Sequence, residues 1–406
     1  MNQNINQRKV YAQKTLKIIM LFLLFIIPLT LFAQRTISGR ITDAEFGEPV
    51  PGVSVFIANT TVGITTDTAG YYRLKIPGTG SYRLAAAHAA YQPIFIDIEP
   101  GQKSVVMDIK MQIRELDEVA VVKKVKFRSE DIDLFWETIL GKNPSKGGLY
   151  ATNPKAPYFY YDDSTNILMV TCREPLKIIN NETGYSIFYV LKNFTHNYNT
   201  NTTFWKGEYM FVELKPKSFK ELNTWEKNRE KVYAVSITHF IRSLYCDSLI
   251  ENGFSLFKVE DGATFYNFGG CRIIGGSREM KVFTPLSSAD REKFLYNYEP
   301  KSYKILHIPA YREIMLVCFG KPGKKQKSEI ISNSARLQSF GLFRSEFNTN
   351  GDSIRIFPDG TFENQIYFSP DKYISKSLTG LNMTLPIEYN PGSDVFQIKT
   401  ILKTEY

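Results

Sequence analysis

The chain has 406 residues, 43% of them hydrophobic, with 50 Lys and Arg against 41 Asp and Glu for a formal charge of +9. That is enough apolar material for more than one core, and so mild a basicity is no argument for a nucleic-acid partner. The four cysteines and four histidines show no CxxC or metal-ligand spacing, which excludes the common zinc and dithiol redox patterns.

Residues 1–33 read as a secretory signal peptide. Arg8, Lys9, Lys14 and Lys17 form a basic leader, Ile18 to Phe32 is an apolar run containing Pro28, and Ala33 offers a small residue before a cut that leaves Gln34 first. The run is short of the roughly 20 residues that a stable membrane helix needs, so cleavage is favoured over an uncleaved anchor, and no transmembrane helix is expected after signal removal. No cysteine sits at the cut to take a lipid. Loss of the four basic residues takes the formal charge from +9 to +5.

From Arg35 to about Val122 the chain alternates short strands with turn residues. Val53, Val55 and Ile57 share one face with period two. Asp67 and Gly70 bracket a tight turn, and Pro49 and Pro51 mark a segment that belongs at an edge or bend. Short strands at regular spacing predict a seven-stranded-type β-sandwich over residues 35–113. Gly39, Asp43, Glu48-Pro49-Val50-Pro51-Gly52-Val53, Thr60-Thr61-Val62-Gly63, Thr65-Thr66-Asp67, Gly70-Tyr71-Tyr72, Tyr82-Arg83-Leu84 and Ala90-Tyr91 resemble the carboxypeptidase-like regulatory domain. This transthyretin-like sandwich is found beside metallocarboxypeptidases and at the front of TonB-dependent receptors. The resemblance implies a fold and no single function.

Residues 114–129 read as a linker. MQIRELDEVAVVKKVKF resembles the segment that introduces the plug of TonB-dependent receptors, but no plug signature follows. The roughly 280 residues that remain are too few for a plug and a 22-stranded barrel, so a full receptor is excluded.

Residues 130–406 read as a β-rich domain of α+β character with one long helix. A short helix is predicted over Glu130 to Gly141, from Ile132, Phe135, Trp136 and Ile139. Strands follow over 166–173, 176–180, 185–199 and 206–214, with Asn180 to Gly184 as a turn. The long helix spans Ser218 or Asn223 to Ile250 and ends at Asn252-Gly253. Strands resume over 253–259, 301–308, 313–319 and 336–347, and Ser353–Phe357 with Thr361–Phe368 reads as a hairpin on a DG turn.

Several pieces of this part resemble an uncharacterised family of exported bacterial proteins in which the same sandwich comes first. They are Glu174 to Asn180, Gly184-Tyr185, Trp225-Glu226-Lys227-Asn228-Arg229, Ser236 with His239 to Leu244, Gly253-Phe254 and Leu385-Pro386-Ile387-Glu388-Tyr389. The aromatic and acidic residues that precede the last stretch in the family are replaced by SKSLTGLNMT. The resemblance implies architecture and carries no activity, catalytic residue, cofactor or metal.

On the long helix Asn228, Arg229, Ser236, His239 and Arg242 form a candidate polar cluster. Helical spacing puts Ser236 and His239 on one face, and Arg229 and Arg242 could serve as donors to an anion; the alternative is that these groups bond backbone beneath the helix. No GxSxG, GxGxxG, Walker A or HExxH sequence occurs. Asp131/Asp133 and Asp162/Asp163 are expected to cap a helix start and a turn. Cys172, Cys246, Cys271 and Cys318 leave disulfides and buried thiols equally open. Asp-Ser/Thr triplets resembling bacterial O-glycosylation sequons make Thr68, Ser164 and Ser353 candidate modification sites, with Ser248 disfavoured by its helix.

The sequence therefore points to a non-enzymatic exported protein of the cell envelope, periplasmic, outer-membrane associated or secreted. Its second domain would bind a glycan, a peptide or another envelope protein. The alternatives are a hydrolase with an unrecognised site on the 223–250 helix and a small outer-membrane β-barrel made from residues 155–406.

Overall fold

The computed structural model describes residues 35–78, 80–101, 104–114, 128–141, 148–261, 273–274, 281–293, 295–297, 303–308, 313–318, 343–349, 351–363, 367–370 and 384–391. The expected signal peptide, most of the expected linker and Cys271 lie outside them. The described part is mostly β, built on three cores.

The first core is the predicted sandwich. One sheet holds β1 (Thr36–Asp43) between β4 (Tyr71–Lys75) and two short parallel strands, β7 (Val105–Val106) and β8 (Ile109–Met111). The other runs β3 (Gly63–Thr65), β2 (Ser54–Ile57), β5 (Tyr82–Ala87), β6 (Ile94–Ile98). The period-two burial of β1 sends Ile37 and Ile41 inward against Val53, Val55, Leu74 and Leu84. β7 and β8 are two halves of one strand, interrupted where the Met107 carbonyl crosses Gly39. A Cβ at Gly39 would stand 1.9 Å from that oxygen, which explains the glycine in the middle of a central strand. The same carbonyl accepts the Tyr72 hydroxyl at 2.7 Å. Asp67 accepts the Ala69 and Tyr71 amides, and Gly70 turns with φ +79°.

The second core begins with α1 (Ser129–Leu140), where Asp131 accepts the Arg128 amide. Its Phe135 and Ile139 pack on a sheet ordered β10 (Pro157–Asp162), β11 (Ile167–Cys172), β13 (Tyr185–Asn197), β12 (Leu176–Asn180), β9 (Leu149–Ala151). β14 (Thr202–Glu213) pairs with the whole length of β13 and starts four residues before the predicted Lys206.

The long helix expected over 223–250 is two helices, α2 (Phe219–Ala234) and α3 (Ile237–Tyr245). The chain leaves helical geometry at Ser236, where ψ is 153°, and the Ser236 hydroxyl accepts the His239 amide at 3.1 Å as a new N-cap. The apolar periodicity runs across this break, which is why sequence spacing read one element.

α3 opens the third core. Its Phe240, Ile241 and Leu244 pack with Phe254, Leu256, Leu306 and Ile354. Here β15 (Phe254–Asp261), β16 (Ile273–Ile274), β17 (Lys281–Pro285), β20 (Glu313–Cys318), β21 (Phe343–Asn348) and β23 (Tyr367–Pro370) form one sheet. β18 (Leu295–Asn297), β19 (Lys304–His307) and β22 (Ser353–Ile356) form another, and α4 (Ser288–Arg291) lies between β17 and β18 in the chain. The expected hairpin at Asp359-Gly360 closes for only a few residues, through the Phe357 amide to the Thr361 carbonyl and an isolated Ile356–Phe362 bridge; β23 pairs with β21 instead. Among the described residues no sheet closes on itself, so the barrel alternative has no support there.

The sandwich docks on the second core through its own apolar face. Phe56, Ala85 and Ala87 meet Val190, with Phe95, Phe188 and Met210 around them. Full burial of Phe56 and Val190 is worth about 1.5–3 kcal/mol each. Gly63 admits Met210, whose sulfur would stand 2.2 Å from a Cβ there. Lys192 lies over the Phe95 ring at 3.5 Å, and both Lys192 and Arg83 bond the buried Glu208 carboxylate.

Candidate functional site

The predicted polar cluster divides at the helix break. On α2, Trp225, Asn228 and Arg229 share one face by i, i+3, i+4 spacing, and they read four consecutive carbonyls of the β12–β13 turn. Trp225 Nε1 donates to Asn181 O at 2.6 Å, Asn228 Nδ2 to Glu182 O at 2.9 Å, Arg229 Nε to Thr183 O at 2.7 Å and Arg229 Nη2 to Gly184 O at 3.5 Å. Arg229 is 1% exposed, lies 4.1 Å over the Tyr185 ring and pairs with Glu213. Its guanidinium is directed to protein carbonyls.

On α3, Ser236 caps the helix and its hydroxyl donates to Tyr233 O. His239 stacks on the Tyr233 ring at 4.5 Å and meets Phe254 edge-on. Burial, the largest cause, lowers its pKa, which favours the neutral imidazole. His239 borders a cavity of about 590 Å³ shared with Ser243, Cys246 and Ser248, yet Ser243 Oγ donates to the His239 carbonyl and the ring's Nδ1 faces Ala234 O. Among the described residues no hydroxyl or thiol bonds the imidazole as a nucleophile would.

Arg242 serves a different set of oxygens. It donates to Asp359 O at 3.1 Å, Ile387 O at 2.6 Å, Tyr389 O at 3.0 Å and the Tyr233 hydroxyl at 3.1 Å. The Leu385 to Tyr389 stretch is thereby held as a strap, whose Ile387 amide donates to Asn59 O. Arg229 and Arg242 thus fasten separate segments of backbone, the alternative that the sequence had left open.

A larger recess lies where the sandwich, β14 and the β22 segment meet. It is a groove of about 1000 Å³, and three strand edges line it: Asp97 to Glu99 at the end of β6, Phe204 to Lys206 of β14, and Ser353 and Arg355 of β22 with Asp352 just before it. Arg83 forms its floor, bonded to Asp97 at 2.6 Å and Glu208 at 2.9 Å. Across from it Arg355 pairs with Glu363 and, at 3.5 Å, with Glu99. These paired charges raise the pKa of both arginines, through Asp97 first for Arg83 and through Glu363 first among the favourable contacts of Arg355, where burial acts the other way. Phe204 is 52% exposed beside them. Sequence reasoning missed this groove, since its walls come from three distant segments; the adjacent aromatics Phe204-Trp205 were the one local signal.

Beside the groove the Asp359 carboxylate accepts the Tyr82 hydroxyl at 3.0 Å and the Gly80 amide at 3.2 Å, tying the sandwich to the segment after β22. Of the candidate modification sites, Thr68 and Ser164 are exposed on turns, and Ser353 is exposed inside the groove. Asp162 is held down to about 2 by the Ser164 and Thr165 hydroxyls, which accounts for that carboxylate as a turn cap. Cys172 and Cys246 carry free thiols. Among the described residues no group of His, Cys, Asp and Glu could hold a metal ion, and no helix is long and apolar enough to cross a membrane.

Residues 37–121 match the family described as the CarboxypepD_reg-like domain. The TonB-dependent receptor P3 of Formosa agariphila is 26% identical over 116 residues, which are 28% of this chain and only 11% of the receptor. Among solved structures, the 5-hydroxyisourate hydrolase of Klebsiella pneumoniae is 20% identical over 20% of this chain and 92% of that one, with a TM-score of 0.18. A cohesin–X-dockerin complex of Acetivibrio cellulolyticus is 25% identical over 19% of this chain and 56% of that one, with a TM-score of 0.17. At those scores neither structure carries an argument about ligand or activity.

Proposed function

We propose, taking the N-terminal domain as a carboxypeptidase regulatory-like sandwich, that the chain is an exported, non-enzymatic binding protein of the cell envelope whose ligand enters the groove between the sandwich and the rest. The groove itself is the observation that carries this reading. It is preformed, because apolar packing and the Arg83–Glu208–Lys192 charges fix the sandwich against β13 and β14, and it combines an exposed aromatic with polar groups held in place, as binding sites do. The envelope location is supported by the leader at residues 1–33 and by the likeness of residues 37–121 to a module of envelope receptors.

Two measurements test it. Fractionation of the native bacterium, with the N-terminal residue of the recovered protein, should give an envelope or secreted fraction beginning at Gln34; a cytoplasmic chain beginning at Met1 overturns the export. Titration of the mature chain with envelope oligosaccharides and peptides should give saturable binding that Phe204→Ala weakens at least fivefold. Binding indifferent to that change places the ligand elsewhere.

A further inference from the structure

The geometry points to an extended basic peptide as the occupant of the groove, added as a strand to the free edge of β14; this inference rests on the binding-protein reading above. β14 is a long edge strand, and the protein already uses half of that edge for pairing. The Asn59 amide donates to Tyr209 O at 2.7 Å and the Phe211 amide donates to Thr60 O at 2.9 Å, so backbone from the sandwich lies along the C-terminal half. Because outward-pointing backbone groups recur every second residue, the next ones along this edge belong to Gly207, Trp205 and Thr203. Among the described residues nothing pairs with them there. An unpaired edge of this kind is a template for another strand.

The groove begins where Asn59 ends, so an incoming strand would continue its line. Thr202 to Lys206 offers five residues, about 17 Å at about 3.4 Å per residue, bordered by the exposed Phe204 ring. Side chains of a bound strand would alternate between that face and the carboxylates opposite. The lining carries five carboxylates against three basic side chains, and Lys192 also bonds Glu208, which leaves an excess of one negative charge. Arg83 and Arg355 are each already shared between two of those carboxylates, and Asp97 and Glu99 remain 68% and 69% exposed. Asp352 adds a carboxylate at the rim. A Lys or Arg on alternate positions of the incoming strand would meet that excess.

The experiment selects from a synthetic library of random octapeptides on the mature chain, then titrates the selected peptides and envelope oligosaccharides by fluorescence anisotropy. The expected result is enrichment of Lys or Arg at alternate positions and at least tenfold weaker binding when one set of alternate amides is N-methylated, with methylation of the other set changing affinity less than twofold. Asp352→Asn combined with Glu99→Gln should weaken the basic peptides at least threefold and leave neutral ones unchanged. Selected peptides that are acidic, or that bind equally whichever amides are methylated, overturn the proposal. If an oligosaccharide binds in a Phe204-dependent way and no peptide is selected, strand addition fails while the binding-protein reading stands; if neither ligand class binds, both fail.

Discussion

Glu388 accepts the backbone amide and the hydroxyl of Thr61 at 2.8 and 3.0 Å across 327 residues of sequence, tying the C-terminal strap to the first domain. Its second oxygen is buried with no partner among the described residues. The strap is therefore a polar clasp between sandwich and α3, with Arg242 on its other side.

This clasp makes stability depend on pH. Burial, the largest cause, raises the Glu388 pKa above its ordinary value, while the Thr61 bonds and Arg242 oppose the rise. The folded protein thus holds this proton more tightly than the unfolded chain does. The stabilisation is complete below the ordinary value of about 4.3 and is lost as pH rises through the folded value. Chemical unfolding of the wild type and Glu388→Gln from pH 4 to pH 7 should show the difference in stability moving against the wild type as pH rises. A constant difference would contradict this assignment.

Gly184→Ala should destabilise the fold by about 2–3 kcal/mol. The residue has φ +72°, and a Cβ would stand 2.2 Å from the Trp225 ring, which its bond to Asn181 O holds in place. Gly47→Ala is the control: the same φ of +72° with nothing within 4 Å of the added atom should cost about 1 kcal/mol. Urea midpoints of the two variants separate crowding from backbone strain.

Arg229→Met keeps much of the side-chain volume and removes the donors to Thr183 O, Gly184 O and Glu213. Leaving buried carbonyls unpaired is expected to cost about 3 kcal/mol, with ligand affinity at the groove unchanged in the folded fraction. A loss of affinity without a loss of stability would return Arg229 to a binding role.

The two free thiols among the described residues should react unequally. Burial pushes the Cys172 thiol up to about 12, so at pH 8 almost none of it is thiolate, whereas Cys246 is exposed. Brief iodoacetamide treatment of the native chain followed by peptide mass spectrometry should find Cys246 alkylated well ahead of Cys172. Equal labelling would mean that the end of β11 opens.

Much of the local structure was legible before any coordinate. The Asp67–Gly70 turn and the Phe135–Ile139 spacing each act over a few residues and appear as read. The alternation of Val53, Val55 and Ile57 faces the sandwich core as expected, but it signals a strand covered on one side only, and Phe56 on the other face is buried against Val190. The 223–250 helix was misread because Ser236 interrupts the backbone without interrupting the apolar period. The polar residues on that stretch were visible, but whether they face a ligand or a carbonyl depended on the β12–β13 turn and the strap, which come from elsewhere in the chain.

By itself the sequence determined a sandwich followed by a β-rich remainder with helices, because strand period, turn residues and caps are local properties. Only the tertiary structure decided that Arg229 and Arg242 fasten separate segments, that the sandwich is fixed to β13 and β14, and that β6, β14 and β22 bring their edges to one groove. Those relations come from packing between segments as far apart as Tyr82 and Asp359, 277 residues apart in the chain, and no pattern confined to a window of sequence encodes them.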